Sequence, residues 1–89
     1  MDFEWDETKA YSNKKKHGIS FFEASEILAD KYSSFVHDPE HSYNEERYLL
    51  FGISLKGSCL VVSYTERADI VRIISARRMS RQERKAYEY

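Results

Sequence analysis

The alternation of polar and apolar positions in the first third of the chain predicts two consecutive helices. Asp6 is a good N-cap for a helix from Glu7 to His17, because the first turn of that helix is acidic and its last turn is basic. Gly18 fits the position just after its end. Ser20 and Glu23 then have the spacing of a capping box. The apolar face of this second helix comprises Phe21, Ala24, Ile27 and Leu28.

Segments rich in β-branched, aromatic and aliphatic residues predict five strands. Two of them are short, Phe3 to Trp5 and Tyr32 to Val36, and the second is followed by a polar, proline-containing loop over residues 37–44. The other three strands are Arg47 to Ile53, Cys59 to Thr65 and Ile70 to Ala76. Turn signals between these three strands predict an antiparallel meander in which the last strand is central.

A second capping box, Ser80 with Glu83, predicts a terminal helix that ends near Tyr89. The predicted architecture is therefore α+β, in the order β-α-α-β-β-β-β-α, with an antiparallel sheet packed by helices. The chain shows no linker, repeat or low-complexity segment, so we expect a single domain over residues 1–89.

Composition favours a folded protein of the cytoplasm. Of the 89 residues, 42% are hydrophobic and 15% are aromatic, which is ample for a small core. No run approaches the ~20 apolar residues that span a bilayer, and the acidic start over residues 1–4 is unlike the basic start of a signal peptide. The single cysteine, Cys59, cannot form an internal disulfide and fits a small buried hydrophobe.

The net charge of −1 taken alone argues against a nucleic-acid-binding protein, but the distribution of charge is uneven. Basic residues gather in residues 14–17 and again in residues 72–85. A fold that brings these two segments together would create a basic surface despite the neutral total.

Motifs at both ends of the chain point to one protein family. They are Trp5-Asp6-Glu7-Thr8-Lys9, Asn13, Lys16-His17-Gly18-Ile19-Ser20-Phe21, Arg72-Ile73-Ile74-Ser75-Ala76-Arg77-Arg78, and Glu83-Arg84 with Tyr87. In this pattern the chain resembles BrnT, a family of small toxins from type II toxin–antitoxin pairs. The resemblance implies a RelE-like fold and a ribonuclease that halts translation. It also implies an RNA substrate and a DNA-binding, BrnA-like antitoxin, whose dimer would form a heterotetramer with the toxin and repress the operon.

The sequence offers little for cofactor chemistry. It has no glycine-rich phosphate loop, no HExxH motif and one cysteine, so we expect a reaction without a metal or another cofactor. His37 and His41 have helical spacing, but Pro39 lies between them, and solvated loop residues are the better interpretation.

Metal-free RNA cleavage needs a base for the 2′-hydroxyl, cations for the charge on phosphorus and an acid for the leaving oxygen. The candidate catalytic residues are His17, Glu66, Arg72 and Arg77. Histidine is a common acid or base in catalysis, and His17 lies in the motif shared with BrnT, although a helix-end role would also explain it. Arg72 and Arg77 flank an apolar strand segment, where a guanidinium needs a partner or a cleft. For Glu66, a surface salt bridge is an equally good explanation.

The candidate RNA-binding residues are Lys9, Lys16, Arg67, Arg78 and Tyr87. Lys9 and Lys16 are two helical turns apart, with Asn13 between them on the same polar stripe. A solvated helix face is the alternative for the lysines, a salt bridge for Arg67, and core packing for Tyr87. Two rival functions remain open: a non-catalytic RNA- or protein-binding module, and an inactive relative acting only as corepressor with a DNA-binding partner.

Overall fold

The computed structural model describes residues 2–87, and its elements follow the predicted order. The strands are β1 Asp2–Glu4, β2 Ser34–His37, β3 Arg47–Ile53, β4 Cys59–Arg67 and β5 Ile70–Arg78; the helices are α1 Glu7–His17, α2 Phe21–Ala29 and α3 Arg81–Tyr87. A short 3₁₀ turn, Pro39–His41, lies in the predicted loop. The α+β class and the order of elements are confirmed, and the expected helix end at Tyr89 lies outside the described residues.

The five strands form one mixed sheet in the order β1-β5-β4-β3-β2. Strands β2 to β5 are antiparallel neighbours, as the meander predicted, and β4 rather than β5 is the middle strand. The prediction of an antiparallel sheet fails only for β1, which runs parallel to β5 with Glu4 opposite Arg72. A parallel pair needs a long connection, and here the whole chain from α1 to β4 lies between the two strands.

The helix caps form as the sequence predicted. A side-chain oxygen of Asp6 accepts a hydrogen bond from the Lys9 amide at 3.0 Å, and Ser20 Oγ accepts one from the Glu23 amide at 3.0 Å. Gly18 adopts φ 73°, the left-handed conformation in which glycine ends a helix without a Cβ penalty. These caps fix where α1 ends and α2 begins.

Glu23 does not complete its capping box. Its carboxylate turns away to accept a hydrogen bond from Ser54 Oγ at 2.7 Å and to pair with Lys56 Nζ at 3.5 Å. Burial alone would raise the pKa of Glu23, but the bonds to Ser54 and Lys56 outweigh it and lower that pKa. Glu23 therefore fastens α2 to the β3–β4 turn.

One face of the sheet packs against α1 and α2. Buried residues of the helical layer, Ile19, Phe21, Ala24 and Ile27, meet Leu60, Val62, Ile73 and Ala76 of the sheet. Trp5 packs edge-to-face on Phe21, with ring centroids 6.1 Å apart, as expected of a core anchor. At Gly52 an added Cβ would lie 2.6 Å from Ile27 Cγ2, so α2 approaches β3 closely only because residue 52 is glycine.

Asn13 ties α1 to the sheet. Its buried side-chain amide donates to the carbonyls of Ile19 at 3.0 Å and Ala76 at 2.9 Å, and its oxygen accepts from the Ala76 amide at 3.1 Å. Because β1 pairs with β5 only as far as Arg72, the backbone of Ala76 has no strand on that side. Asn13 supplies the missing partner.

Strand β5 contains a bulge. Arg72 pairs with Thr65 and Ile73 with Tyr64, but Ser75 then pairs with Ser63, so Ile74 is an extra residue without a partner in β4. An extra residue of this kind changes which way the following side chains face.

Candidate active site

The face of the sheet turned away from α1 and α2 carries the arginines that the sequence singled out. Val71 and Ile73 belong to the core, so Arg72 between them faces the other way. Arg77 is five residues from Arg72, and in a regular strand the two would point to opposite faces. The bulge at Ile74 puts both side chains on the same face. Arg72 pairs with Thr65 and Arg77 with Val61, and these two partners, four residues apart on β4, share a face of the sheet. We call this surface the open face.

Register defines three rows of side chains across the open face. The first row is Glu4, Arg72, Thr65 and Arg47; the second is Ser75, Ser63 and Leu49; the third is Arg77, Val61 and Phe51. Three arginines and two serine hydroxyls thus lie on one side of the sheet, arranged around its centre. Such a set presents hydrogen-bond donors and positive charge, which suits a phosphodiester.

Arg72 forms an ion pair with Glu4 through its Nη1 atom. The two side chains are 27% and 36% exposed, so the pair lies within reach of solvent and of a ligand. Pairing explains how a strand flanked by neighbours on both sides accommodates an arginine.

Arg77 forms a two-pronged salt bridge with Glu83 at the start of α3. Nη1 donates to Oε1 at 2.7 Å and Nη2 donates to Oε2 at 3.0 Å. The predicted capping box is confirmed in the same place, with Ser80 N–H donating to Glu83 Oε1 at 2.8 Å and Glu83 N–H donating to Ser80 Oγ at 3.1 Å. The guanidinium of Arg77 outweighs burial and holds the pKa of Glu83 at about 2. This pair anchors α3.

Within residues 2–87, the candidates on α1 form no hydrogen bond or ion pair with Arg72 or Arg77, whose partners are Glu4 and Glu83. Lys9 and Lys16 are exposed and His17 is half-buried. His17 follows Asn13 by one helical turn, and the side chain of Asn13 is bound to the backbone of Ala76 on β5. No hydrogen bond or ion pair of its side chain is formed within residues 2–87.

Glu66 and Arg67 are separated by the alternation of β4. Glu66 pairs in register with the core residue Val71 and therefore faces the helical side, opposite to Arg72. Arg67 forms a fork with both carboxylate oxygens of Glu45, each at 3.1 Å. That hydrogen bonding lowers the pKa of Glu45 and raises that of Arg67. The hairpin therefore does not bring Glu66 together with Arg72 and Arg77.

The remaining candidates lie at the end of the chain. Arg78 is exposed and its backbone carbonyl accepts from Arg77 Nη1 at 3.2 Å. Tyr87 is half-buried and its hydroxyl donates to the carbonyl of Tyr32 at 3.2 Å. Burial raises the pKa of Tyr87, so its phenol stays protonated at neutral pH.

The histidines of the loop have separate carboxylate partners. His37 Nε2 contacts Glu46, whereas His41 Nδ1 lies 2.9 Å from Asp38. Both histidines and Glu46 are exposed, in keeping with the solvated loop that the sequence predicted, whereas the side chain of Asp38 is largely buried.

Comparison with known protein families shows which family the chain belongs to. A family model described as the ribonuclease toxin BrnT of type II toxin–antitoxin systems matches residues 5–83. The chain belongs to the BrnT family. The match covers α1, the sheet from β2 to β5 and the first residues of α3, so it includes Arg72, Arg77 and Glu83. The resemblance first seen in the sequence motifs is confirmed, and so is membership of a class of ribonuclease toxins that are paired with antitoxins.

The fold agrees with a solved member of that family. The crystal structure of the Brucella abortus ribonuclease toxin BrnT aligns with a TM-score of 0.66 and 24% sequence identity, over 91% of this chain and 99% of the Brucella chain. No curated protein gives a significant match. Within residues 2–87, none of the helices has the length and apolar character needed to cross a membrane.

Sequence reasoning about this BrnT-family chain missed the partners of its two central arginines. The sequence predicts only a short strand around Glu4 and only a helix cap for Glu83, yet each carboxylate pairs with an arginine of the open face. Arg47 was also missed, although it shares a row with Arg72. The motif Glu83-Arg84 with Tyr87 marks Glu83 as a residue of interest. No sequence pattern indicates that β1 pairs with β5, so nothing in the sequence marks Glu4 as the partner of Arg72.

Proposed function

We propose that this chain is a metal-independent endoribonuclease that cleaves RNA in the cytoplasm, arrests translation, and is inhibited by a BrnA-like antitoxin. The antitoxin would be a DNA-binding dimer that forms a heterotetramer with the toxin. Membership of a ribonuclease toxin family supports the activity and the existence of an antitoxin. One structural observation carries the proposed mechanism: the bulge in β5 turns Arg72 and Arg77 to the same open face.

In the proposed reaction the 2′-hydroxyl of a ribose attacks the adjacent phosphorus and the 5′-oxygen of the next nucleotide leaves. Arg72 and Arg77 would stabilise the extra negative charge on the phosphoryl oxygens, where preorganised cations have their largest effect. The carboxylates of Glu4 and Glu83 hold the guanidinium groups in place before RNA arrives. A phosphate would share or replace these carboxylates on the arginines.

We assign proton transfer to His17, the last residue of α1, which would act as acid or base. Of the two glutamates beside β5, Glu66 faces the helical side, while Glu4 shares the open face with Arg72. Glu4 is therefore a second candidate for the general base, in place of Glu66. Lys9, Lys16, Arg67, Arg78 and Tyr87 would contact the flanking RNA.

The decisive experiment is to incubate the purified, antitoxin-free chain with total RNA in the presence of a chelator. We expect cleavage that yields 2′,3′-cyclic phosphate and 5′-hydroxyl ends, because in the proposed step the 2′-oxygen bonds to phosphorus and the 5′-oxygen leaves with a proton. His17→Ala should abolish these ends but change stability little, because a helix-end histidine contributes only ~0.3–1 kcal/mol.

Full cleavage by a folded His17→Ala protein would remove His17 from the mechanism, and Glu4→Gln should then be the inactive variant. Binding of RNA by the wild-type chain without any new ends would favour the rival function, a non-catalytic module that acts with a DNA-binding partner.

A further inference from the structure

A cavity of about 570 Å³ opens between α3 and the β2–β3 edge of the sheet, directly beside the Arg77–Glu83 pair. Its lining residues are Tyr32, Ser34, Phe51, Glu83, Ala86 and Tyr87. The size is in the range of small-molecule sites, and aromatic side chains make up half of the lining. None of the functions assigned above uses this cavity as a whole.

Three aromatic rings form its apolar walls. Tyr87 comes from α3 and its hydroxyl bonds to the Tyr32 carbonyl at 3.2 Å, which holds the two sides of the cavity together. Tyr32 is 74% exposed, so much of its side chain is open to a ligand. Phe51 lies in the same row of the open face as Arg77, two strands away, a separation of about 10 Å from the usual interstrand spacing.

Charges are arranged on either side of these rings. Arg77 borders the cavity through its bond to Glu83, and Lys31 Nζ lies 5.3 Å from the ring centroid of Tyr32. Among the lining residues that the structure describes, the single charged group is the carboxylate of Glu83, which disfavours an anion inside the cavity. The surroundings thus suit a flat, uncharged group inside and phosphates outside.

We propose that the cavity is a subsite for one nucleobase of single-stranded RNA, with the neighbouring phosphate on Arg77. Unpaired bases are commonly bound by stacking on tyrosine and phenylalanine rings, while cations track the backbone. This inference rests on the proposed function, because it places the base next to the phosphate at which the RNA is cut.

The polar groups of the lining also select among bases. A carboxylate has about four acceptor positions, and Glu83 uses three of them for Arg77 and Ser80. The remaining acceptor, together with the hydroxyl of Ser34, favours a base with an exocyclic amino group. The subsite should therefore accept adenine, cytosine or guanine in preference to uracil.

The test uses a short single-stranded oligonucleotide with 2′-O-methyl groups, which binds as RNA but cannot be cut by attack of the 2′-hydroxyl. Abasic sites placed at successive positions, with the full chain as protein, should identify one position where loss of the base weakens binding roughly tenfold. Uracil at that position should bind more weakly than the other bases.

Ala86→Trp should fill the cavity, weaken binding of the complete oligonucleotide about tenfold, and remove the effect of the abasic site. Tyr87→Leu, which removes the aromatic ring, should act in the same direction. Tyr11→Ala is the matched control, because Tyr11 is an exposed tyrosine on α1. That variant should retain the full dependence on the base.

Equal binding of all abasic oligonucleotides, or unchanged base dependence in a folded Ala86→Trp protein, would overturn the subsite. So would an Ala86→Trp protein that loses the antitoxin but keeps base-dependent binding, since the cavity would then be a protein-binding site. Cleavage of unmodified RNA by the wild-type chain is measured in parallel. Base-dependent binding without cleavage would contradict the ribonuclease proposal and support the subsite. Cleavage without base-dependent binding would support the ribonuclease proposal and contradict the subsite.

Discussion

At the scale of single residues, Arg77 combines two roles, because the same guanidinium anchors α3 and lies on the open face proposed to bind RNA. Arg77→Ala removes both, whereas Glu83→Gln weakens the anchor and keeps the guanidinium itself, without the carboxylate that positions it. If Arg77 stabilises the transition state, its loss should lower the single-turnover rate by roughly two to three decades, and Glu83→Gln should lower that rate far less.

Arg72→Ala should lower the rate as Arg77→Ala does, while Arg81→Ala, on the exposed side of α3, is the control. The measurement is single-turnover cleavage beside equilibrium RNA binding. Equal loss of rate in Arg77→Ala and Glu83→Gln would mean that Arg77 serves only to hold the helix.

The low pKa of Glu83 predicts that the stability of the fold depends on pH. This carboxyl has an ordinary pKa of 4.5 and a folded value of about 2, so its ion pair stabilises the fold above pH 4.5. That stability is lost as the pH falls from 4.5 toward 2. Glu83→Gln should lower the free energy of unfolding by about 1–2 kcal/mol at pH 7, after allowance for partial exposure.

Urea unfolding at several pH values checks this. The difference between wild type and Glu83→Gln should shrink as the solution is acidified, while Glu40→Gln, an exposed glutamate of the loop, should follow the wild type throughout. A difference that does not depend on pH would show that the carboxylate charge of Glu83 does not hold α3.

At the scale of elements, the side chain of Asn13 provides the hydrogen bonds that connect α1 to β5. Asn13 makes three hydrogen bonds to backbone groups, and Asn13→Ala would leave the buried N–H and C=O of Ala76 without partners. The free energy of unfolding should fall by about 2–4 kcal/mol, and hydrogen exchange at Ala76 should accelerate. Ser12→Ala, an exposed neighbour on the same helix, should change stability by less than ~0.5 kcal/mol.

The elements themselves were well predicted because their signals are local. Asp6, Gly18, Ser20 and Ser80 mark helix ends through bonds to residues at most four positions away, so the sequence suffices to locate them. Pairing of β1 with β5 joins residues nearly seventy positions apart, and no local pattern specifies it. The partners of Arg72 and the true position of Glu66 depend on that pairing and on strand phase, and were therefore missed.

For the molecule as a whole, the toxin assignment predicts a partner. An active ribonuclease that blocks translation should accumulate only with its inhibitor, so expression of the chain alone should arrest growth. Co-expression with the neighbouring reading frame should give a stable complex without ribonuclease activity. Size-exclusion chromatography with light scattering gives the stoichiometry. High expression without harm, and no binding by the neighbour, would contradict the toxin function.

The bulge at Ile74 makes the length of β5 matter more than the identity of the residue there. Ile74→Val should be tolerated, because Ile74 has no partner in β4. Deleting Ile74 should be far more harmful, since every side chain after it would exchange faces and Arg77 would point into the core. Arg77 would then lose Glu83, and α3 would lose its attachment. We therefore expect functional variants, in a library that scans both substitutions and deletions, to differ freely at this position while always keeping four residues between the two arginines.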